Sequence, residues 1–289
     1  MEHPLSPPSP LLTMNQLTPS RSLTLPWLEG YAASHTGKKR SHNEDRFFLA
    51  PWSDRQAVLA VVADGMGGSQ AGDVAAQIAI DTFAQLLDQP FPKRDRDGYN
   101  LLQEKFYEAD RIIREQAGQS LHQLGMGTTL VAAVFTPNQY LHLYAGDSRL
   151  YQFRKGKPLY KSADHSIVRL LVELGKIKPE EARNHPMRSQ LTSCLGGKEG
   201  KGNFSIDPKW EDEQPPIYPW NSGDTFLLCS DGLHGLVLDE TISSLVEKFG
   251  KDAQMLMNQL IEQALAAGGN DNITVLTVRV RLPLPTRLL

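Results

Sequence analysis

Two apolar runs in this chain end on Asp-Gly, and a third ends on Gly-Asp. Val58-Leu59-Ala60-Val61-Val62-Ala63 runs into Asp64-Gly65, Phe226-Leu227-Leu228-Cys229-Ser230 into Asp231-Gly232, and Tyr140 to Ala145 into Gly146-Asp147-Ser148-Arg149. A fourth acid, Asp271 in Gly268-Gly269-Asn270-Asp271-Asn272, stands just before the strand-like Ile273 to Val280. Short β-rich runs with a carboxylate at one end describe buried strands that deliver aspartates to one edge of a sheet. Gathered carboxylates repel one another, and hard cations between them relieve the repulsion. The pattern reads as a Mg²⁺ or Mn²⁺ site. Asp-Gly is also a favoured hairpin-turn dipeptide, so Asp64-Gly65 or Asp231-Gly232 taken alone reads first as an ordinary turn.

The totals narrow the field. At 289 residues, 40% hydrophobic and 22% charged, the chain has enough apolar material for a sizeable core. A net charge of -3 gives no electrostatic case for nucleic acid or an anionic membrane as partner. The two cysteines, Cys194 and Cys229, sit in apolar surroundings, which argues against a disulfide framework and for a reducing cytoplasm. No apolar run approaches the roughly 20 residues of a membrane span, and the N-terminus lacks the pattern of a signal peptide.

Residues 1–26 are rich in Pro, Ser, Thr and Leu, and that proline density predicts a tail, with the folded body starting near Tyr31. Apolar spacing predicts a helix over 71–88 and a second marked by Leu102, Phe106, Ala109, Ile113 and Ala117. Strands are expected over 128–135, 140–144 and 150–153, with a hairpin turn at Arg154-Lys155-Gly156-Lys157. A helix over 166–175 stops at Gly175, and Pro179 opens a short one. Residues 196–223, broken by four prolines, read as a long loop or insertion. Two helices follow Asp239, over 240–249 and 252–267, and the last strand is 273–280. Strands adjacent in sequence, grouped in blocks with helices, predict an α+β fold of antiparallel sheets covered by helices.

Further residues sharpen the acidic pattern. Arg40-Ser41-His42-Asn43-Glu44-Asp45 brings an arginine and two acids, and Asp64-Gly65-Met66-Gly67-Gly68 carries more glycine than a turn needs. With Gly127-Thr128-Thr129, Gly146-Asp147-Ser148-Arg149, Asp164-His165-Ser166, Ser230-Asp231-Gly232-Leu233 and Asp271-Asn272-Ile273-Thr274, they make seven elements over about residues 31–281. In this set and order the chain resembles the metal-dependent Ser/Thr protein phosphatases of the PPM type (type 2C), bacterial form.

The resemblance implies a four-layer αββα fold, a central β-sandwich of two antiparallel sheets flanked by helices. It implies one phosphatase domain over 27–283, between the 1–26 tail and a short tail at 284–289. Within it lie a flap at about 166–197 and the 196–223 insertion. The implied activity is hydrolysis of phosphoserine and phosphothreonine in phosphoproteins by a metal-activated water attacking phosphorus in line, without a phosphoenzyme. Asp64 would bridge two ions, the Gly65 carbonyl would bind one, and Asp231 and Asp271 would complete the other. Glu44 and Asp45 would hold waters, Asp147 with Asp231 would take a third ion, and Arg40 would grip the substrate phosphate. Arg40, Asp64 and Asp231 are then the catalytic residues, with two to three Mg²⁺ or Mn²⁺ ions per chain. Oxygen donors and retained waters suit these ions, and the guanidinium fork suits a phosphate. The implied partners are eukaryotic-like Ser/Thr kinases and their substrates, met in the cytoplasm by a monomer.

Some relatives carry a histidine in or just after the glycine-rich turn as leaving-group acid; here the region reads Met66-Gly67-Gly68-Ser69-Gln70. His42 and His165 are the substitutes at hand, His165 being better read as structural. A cysteine-dependent phosphatase needs an arginine six residues after its cysteine, and Gly200 and Gly235 stand there instead. Arg149 is expected to bond locally, and Thr128 and Thr129 to lie under the site. Two other functions compete. One is a catalytically silent phosphoprotein-binding module, the other a phosphatase dedicated to one partner of a regulatory switch.

Overall fold

The computed structural model describes residues 20–52, 56–67, 71–197 and 204–281. The strands begin with β1 (Ser20–Leu25), β2 (Leu28–His35), β3 (Asp45–Trp52) and β4 (Ala57–Met66). After helices α1 (Ala71–Ala84) and α2 (Asp95–Ala117) come β5 (Gly127–Thr128), β6 (Leu130–Phe135), β7 (Gln139–Ala145), β8 (Arg149–Arg154) and β9 (Lys157–Lys161). Helices α3 (Ile167–Glu173) and α4 (Pro179–Ala182) precede β10 (Leu195–Gly196), β11 (Ile217–Pro219) and β12 (Thr225–Cys229). The chain closes with α5 (Asp231–His234), α6 (Asp239–Phe249), α7 (Ala253–Ala266) and β13 (Ile273–Val280).

The strands form two antiparallel sheets. One runs β1-β2-β13-β12-β8-β9; the other runs β10-β5-β4-β6-β7-β11, with β3 also on β4. Strand periodicity explains why β4 reads as a continuous apolar run. Val58, Ala60 and Val62 point into the sandwich against Leu28, Phe226, Leu228 and Leu276. Leu59, Val61 and Ala63 point the other way, under α1 and α2 with Ala75, Phe83 and Phe106. The outer face of the first sheet is covered by α5 to α7, where Leu227, Cys229 and Val275 pack against Leu233, Leu256 and Leu260. Three apolar interfaces between four layers make the αββα architecture. Each fully buried aliphatic side chain in them contributes about 1.5–3 kcal/mol over its exposed state. Among the described residues, no helix is long and apolar enough to cross a membrane.

Two expectations need correction. The folded body already includes Ser20 and does not start near Tyr31, because β1 pairs with β2 from Ser20↔Ala33 to Leu25↔Leu28. The stretch Ser20–Leu25 lies between Pro19 and Pro26 and contains no proline, so every residue in it can donate to the ladder. The 196–223 segment is likewise not loop throughout: β10 pairs with β5, and β11 extends β7 through Ile217↔Leu141 and Tyr218↔Tyr140. Residues 1–19 of the expected N-terminal tail and the whole of 284–289 lie outside the described residues. The hairpin turn at 154–157 is as expected, with Lys155 at φ 52 and Gly156 at φ 77.

Candidate active site

The antiparallel registers bring the acidic ends of the strands to one end of the sandwich. Asp45 opens β3 opposite Asp64 near the end of β4. Cys229, at the end of β12, is opposite both Val275 of β13 and Arg149 of β8, so Asp231, Asp271 and Asp147 come out on the same side. Arg40, Glu44, Asp64, Gly65, Asp147, Asp231 and Asp271 all line a single cleft of about 250 Å³. Of the expected residues only Asp45 stands behind the cleft wall, buried at 1% exposure. The cleft wall also includes Ser189 and Leu191 from the flap; nothing in their local sequence singled them out.

Hydrogen bonds fix the frame. The Asp64 amide donates to Thr129 Oγ1 (3.2 Å), and its carbonyl accepts from the Thr129 amide (2.9 Å) and Thr128 Oγ1 (3.0 Å). Thr129 Oγ1 also meets Ser148 Oγ at 2.6 Å, which ties Asp64 to the turn that carries Asp147. Gly65 is required by close approach: a Cβ there would sit 2.1 Å from the Gly72 carbonyl oxygen. Asn272 joins three pieces of chain, accepting from the Glu44 amide (2.8 Å) and donating to the carbonyls of Thr36 (2.9 Å) and His42 (2.8 Å). Arg40 Nη2 donates to Asp271 Oδ2 at 2.8 Å, with the guanidinium half exposed at the rim.

Asp45 sits in a polar core. Ser230 Oγ donates to its Oδ2 (2.7 Å) and accepts from the Thr274 amide (3.0 Å), while Thr274 Oγ1 meets Ser34 Oγ at 2.7 Å. Its Oδ1 is buried without a partner. Burial pushes the Asp45 carboxyl up to about 7; the Thr274 and Ser230 hydrogen bonds only partly offset this, and Asp231 and Asp271 add to it. Asp231 is pushed up to about 6 by burial and by Asp271, against a hydrogen bond with Asp64 and the Arg40 charge. Asp64 and Asp147 are held well above the usual carboxylate range, first by burial, then by Asp45 and Asp231 for Asp64 and by Asp231 and Asp164 for Asp147.

This donor set fits a hard divalent cation. Carboxyl groups within hydrogen-bonding reach of each other, as Asp64 and Asp231 are, must share a proton or a cation. Among the described residues no three His, Cys, Asp or Glu side chains alone close around one ion. The cleft adds Gly65 backbone and room for water, which suits ions that retain part of their hydration shell.

The remaining candidates have other work. Arg149 holds Asp164 through two 2.7 Å bonds and donates to Tyr151 Oη at 2.9 Å. His165 is structural: its Nδ1 accepts the Gly146 amide (3.2 Å) and its Nε2 meets Asp207 Oδ2 (2.8 Å). Cys229 is fully buried, and burial raises its thiol pKa far above the ordinary value. Of the glycine-rich turn, Gly68, Ser69 and Gln70 lie outside the described residues.

Residues 32–267 match the family model described as Protein phosphatase 2C. The serine/threonine protein phosphatase PstP of Mycobacterium tuberculosis is 36% identical over 254 residues, covering 86% of this chain and 45% of that protein. The chain thus spans about half the length of that relative. The serine/threonine phosphatase stp of Listeria innocua is 33% identical over 247 residues, covering 85% of this chain and 93% of the relative. A crystal structure of the catalytic domain of the phosphatase PstP in complex with two manganese ions superimposes with a TM-score of 0.71 at 31% identity, covering 88% of this chain and 99% of that one.

Proposed function

The chain belongs to the protein phosphatase 2C family, and from that premise we propose that it hydrolyses phosphoserine and phosphothreonine in phosphoproteins with the help of divalent metal ions. The observation that carries this reading is the convergence of Asp64, Asp147, Asp231 and Asp271 in one cleft with Arg40 at its rim.

Asp64, the Gly65 carbonyl, Asp231 and Asp271 would hold two Mg²⁺ or Mn²⁺ ions, and Asp147 with Asp231 a third. Glu44, in the cleft wall, and Asp45, behind it, would orient waters. Bound there, the ions supply positive charge for the phosphoryl oxygens and a water of lowered pKa as nucleophile. Arg40 meets the incoming phosphate: its side-chain bond to Asp271 raises its pKa, so it stays charged, and the bond holds its fork at the rim. Attack in line, directly by water and without a phosphoenzyme, accords with the thiols being unsuited as nucleophiles. Cys229 is buried in the core, and burial raises the pKa of Cys194 as well. Thr129 is also committed, its hydroxyl bonded to the Asp64 amide and to Ser148. Its substrates are proposed to include eukaryotic-like Ser/Thr kinases and their targets, met by a monomer in the cytoplasm.

Purified protein with Mn²⁺ should release phosphate from a phosphothreonine peptide, and EDTA should stop it. Metal and phosphopeptide binding with no turnover would contradict the reading and identify a silent binding module.

A further inference from the structure

The loop between β2 and β3 carries three consecutive cations, Lys38, Lys39 and Arg40, all exposed. It is not a loose loop. The Gly37 amide donates to His35 Nδ1 (2.8 Å), the Lys38 amide donates to the Gly269 carbonyl (2.6 Å), and the Thr36 carbonyl accepts from Asn272 (2.9 Å). Gly37, at φ +82, lies so close to the Asp271 loop that a Cβ would sit 2.1 Å from the Asp271 carbonyl oxygen. On the far side the Arg40–Asp271 ion pair holds the chain again. The backbone of Lys38 and Lys39 is therefore fastened to the loop that supplies Asp271 to the cleft.

The two ammonium groups are uncommitted. Several other cations near the cleft are paired, Arg40 with Asp271, Arg46 with Asp73, Arg149 with Asp164 and Lys161 with Asp239; on the opposite rim Arg183 bonds the Gly235 carbonyl and Arg188 is exposed. Among the described residues neither Lys38 nor Lys39 makes a side-chain hydrogen bond or ion pair. The other rim, beyond Asp147 and Asp231, opens into a groove of about 660 Å³ in which Arg183 and Arg188 are mixed with Glu180 and Glu240. On the Arg40 side the acids at the cleft are Glu44 and Asp271, both close to Arg40, and Lys38 and Lys39 add two exposed positive charges next to them.

We propose that Lys38 and Lys39 form a recognition rim for phosphoprotein segments with an anionic side chain two or three residues from the phosphoserine or phosphothreonine. The proposal rests on the phosphatase reading above and adds the substrate class to it. Its geometry is simple. Successive Cα atoms are about 3.8 Å apart, so Lys39 and Lys38 stand within about 4 and 8 Å of Arg40 along the loop. An extended peptide advances about 3.3 Å per residue, so a phosphate held at Arg40 places its near neighbours within reach of both lysines.

The test is a peptide series with one phosphothreonine and Glu, Ala, Lys or phosphoserine at the positions two and three residues from it. Wild-type protein should show kcat/KM roughly 2- to 5-fold higher for the Glu than for the Lys peptide at low ionic strength, the size expected of exposed ion pairs. The preference should collapse at high salt. The double variant K38A/K39A should lose it while hydrolysing p-nitrophenyl phosphate as wild type does, and K38E/K39E should reverse it. A larger effect of phosphoserine than of Glu identifies a second phosphate as the preferred anion; an equal or smaller one identifies a carboxylate. Equal rates for the Glu and Lys peptides, or a preference that survives in K38A/K39A, would overturn the proposal. Fluorescence anisotropy with the same peptides reads the preference without turnover. A chain that binds them selectively but releases no phosphate contradicts the phosphatase reading alone.

Discussion

Asp45 and Asp64 are register partners, opposed across the ladder between β3 and β4. Directly opposed side chains share a face of a sheet, so two carboxyl groups are forced together at the end of the sandwich. Burial raises the pKa of both; Asp45 adds to the rise at Asp64, and Asp231 and Asp271 add to it at both. The fold thus holds these acids in a place that favours their charged forms only when a cation accompanies them.

A pH dependence follows for Asp45, whose carboxyl is pushed up to about 7 from an ordinary value of 3.8. Below pH about 4 folded and unfolded chains are both protonated at this group, and it contributes nothing. Between about 4 and 7 the unfolded chain ionises first, so stability falls as pH rises, and above 7 the penalty is complete. Asp45→Asn keeps an acceptor for Ser230 and removes the ionisation. In EDTA the variant should melt above wild type at pH 8, by on the order of a few kcal/mol, and the two should converge near pH 4. Calorimetry from pH 4 to 8.5 checks this.

Much of the fold was legible because its signals are local. The buried β4 run, the β-branched run of β13 and the Lys155-Gly156 turn announce themselves within ten residues. Six of the seven motif elements line one cleft because antiparallel pairing returns strand ends to the same edge, and the seventh, Asp164-His165-Ser166, braces it through Arg149 and Gly146. What the sequence concealed depends on partners far away in it. β1 carries little apolar signal of its own and exists through its ladder with β2. Ser230 and Thr274 look like ordinary strand-end residues until they are seen closing on Asp45. Ser189 and Leu191 reach the cleft only because Ser166 bridges to Leu191 and folds the flap back.

Gly232→Ala should break the joint between α5 and β13. A Cβ there would lie 1.8 Å from the Asn272 carbonyl oxygen, and backbone cannot yield as a flexible side chain would. The expected loss is about 1–3 kcal/mol or more, seen in urea denaturation, with phosphate release impaired because Asp231 and Asp271 are pushed apart.

Asn272→Ala should uncouple the Arg40 loop. It removes three hydrogen bonds from a nearly buried side chain, at roughly 1–3 kcal/mol. Steady-state kinetics should show KM for a phosphothreonine peptide rising, since the loop that carries Arg40 loses its anchor at Thr36 and His42.

The claim under everything else is that Asp64 and Asp231 together hold divalent metal. Titration calorimetry with Mn²⁺ on wild type, Asp64→Asn and Asp231→Asn, paired with phosphate release from one phosphothreonine peptide, measures it directly. The account predicts at least two Mn²⁺ per wild-type chain, loss of tight binding in either variant, and a fall in turnover by orders of magnitude in both. Unchanged Mn²⁺ binding and full turnover in Asp64→Asn would contradict it.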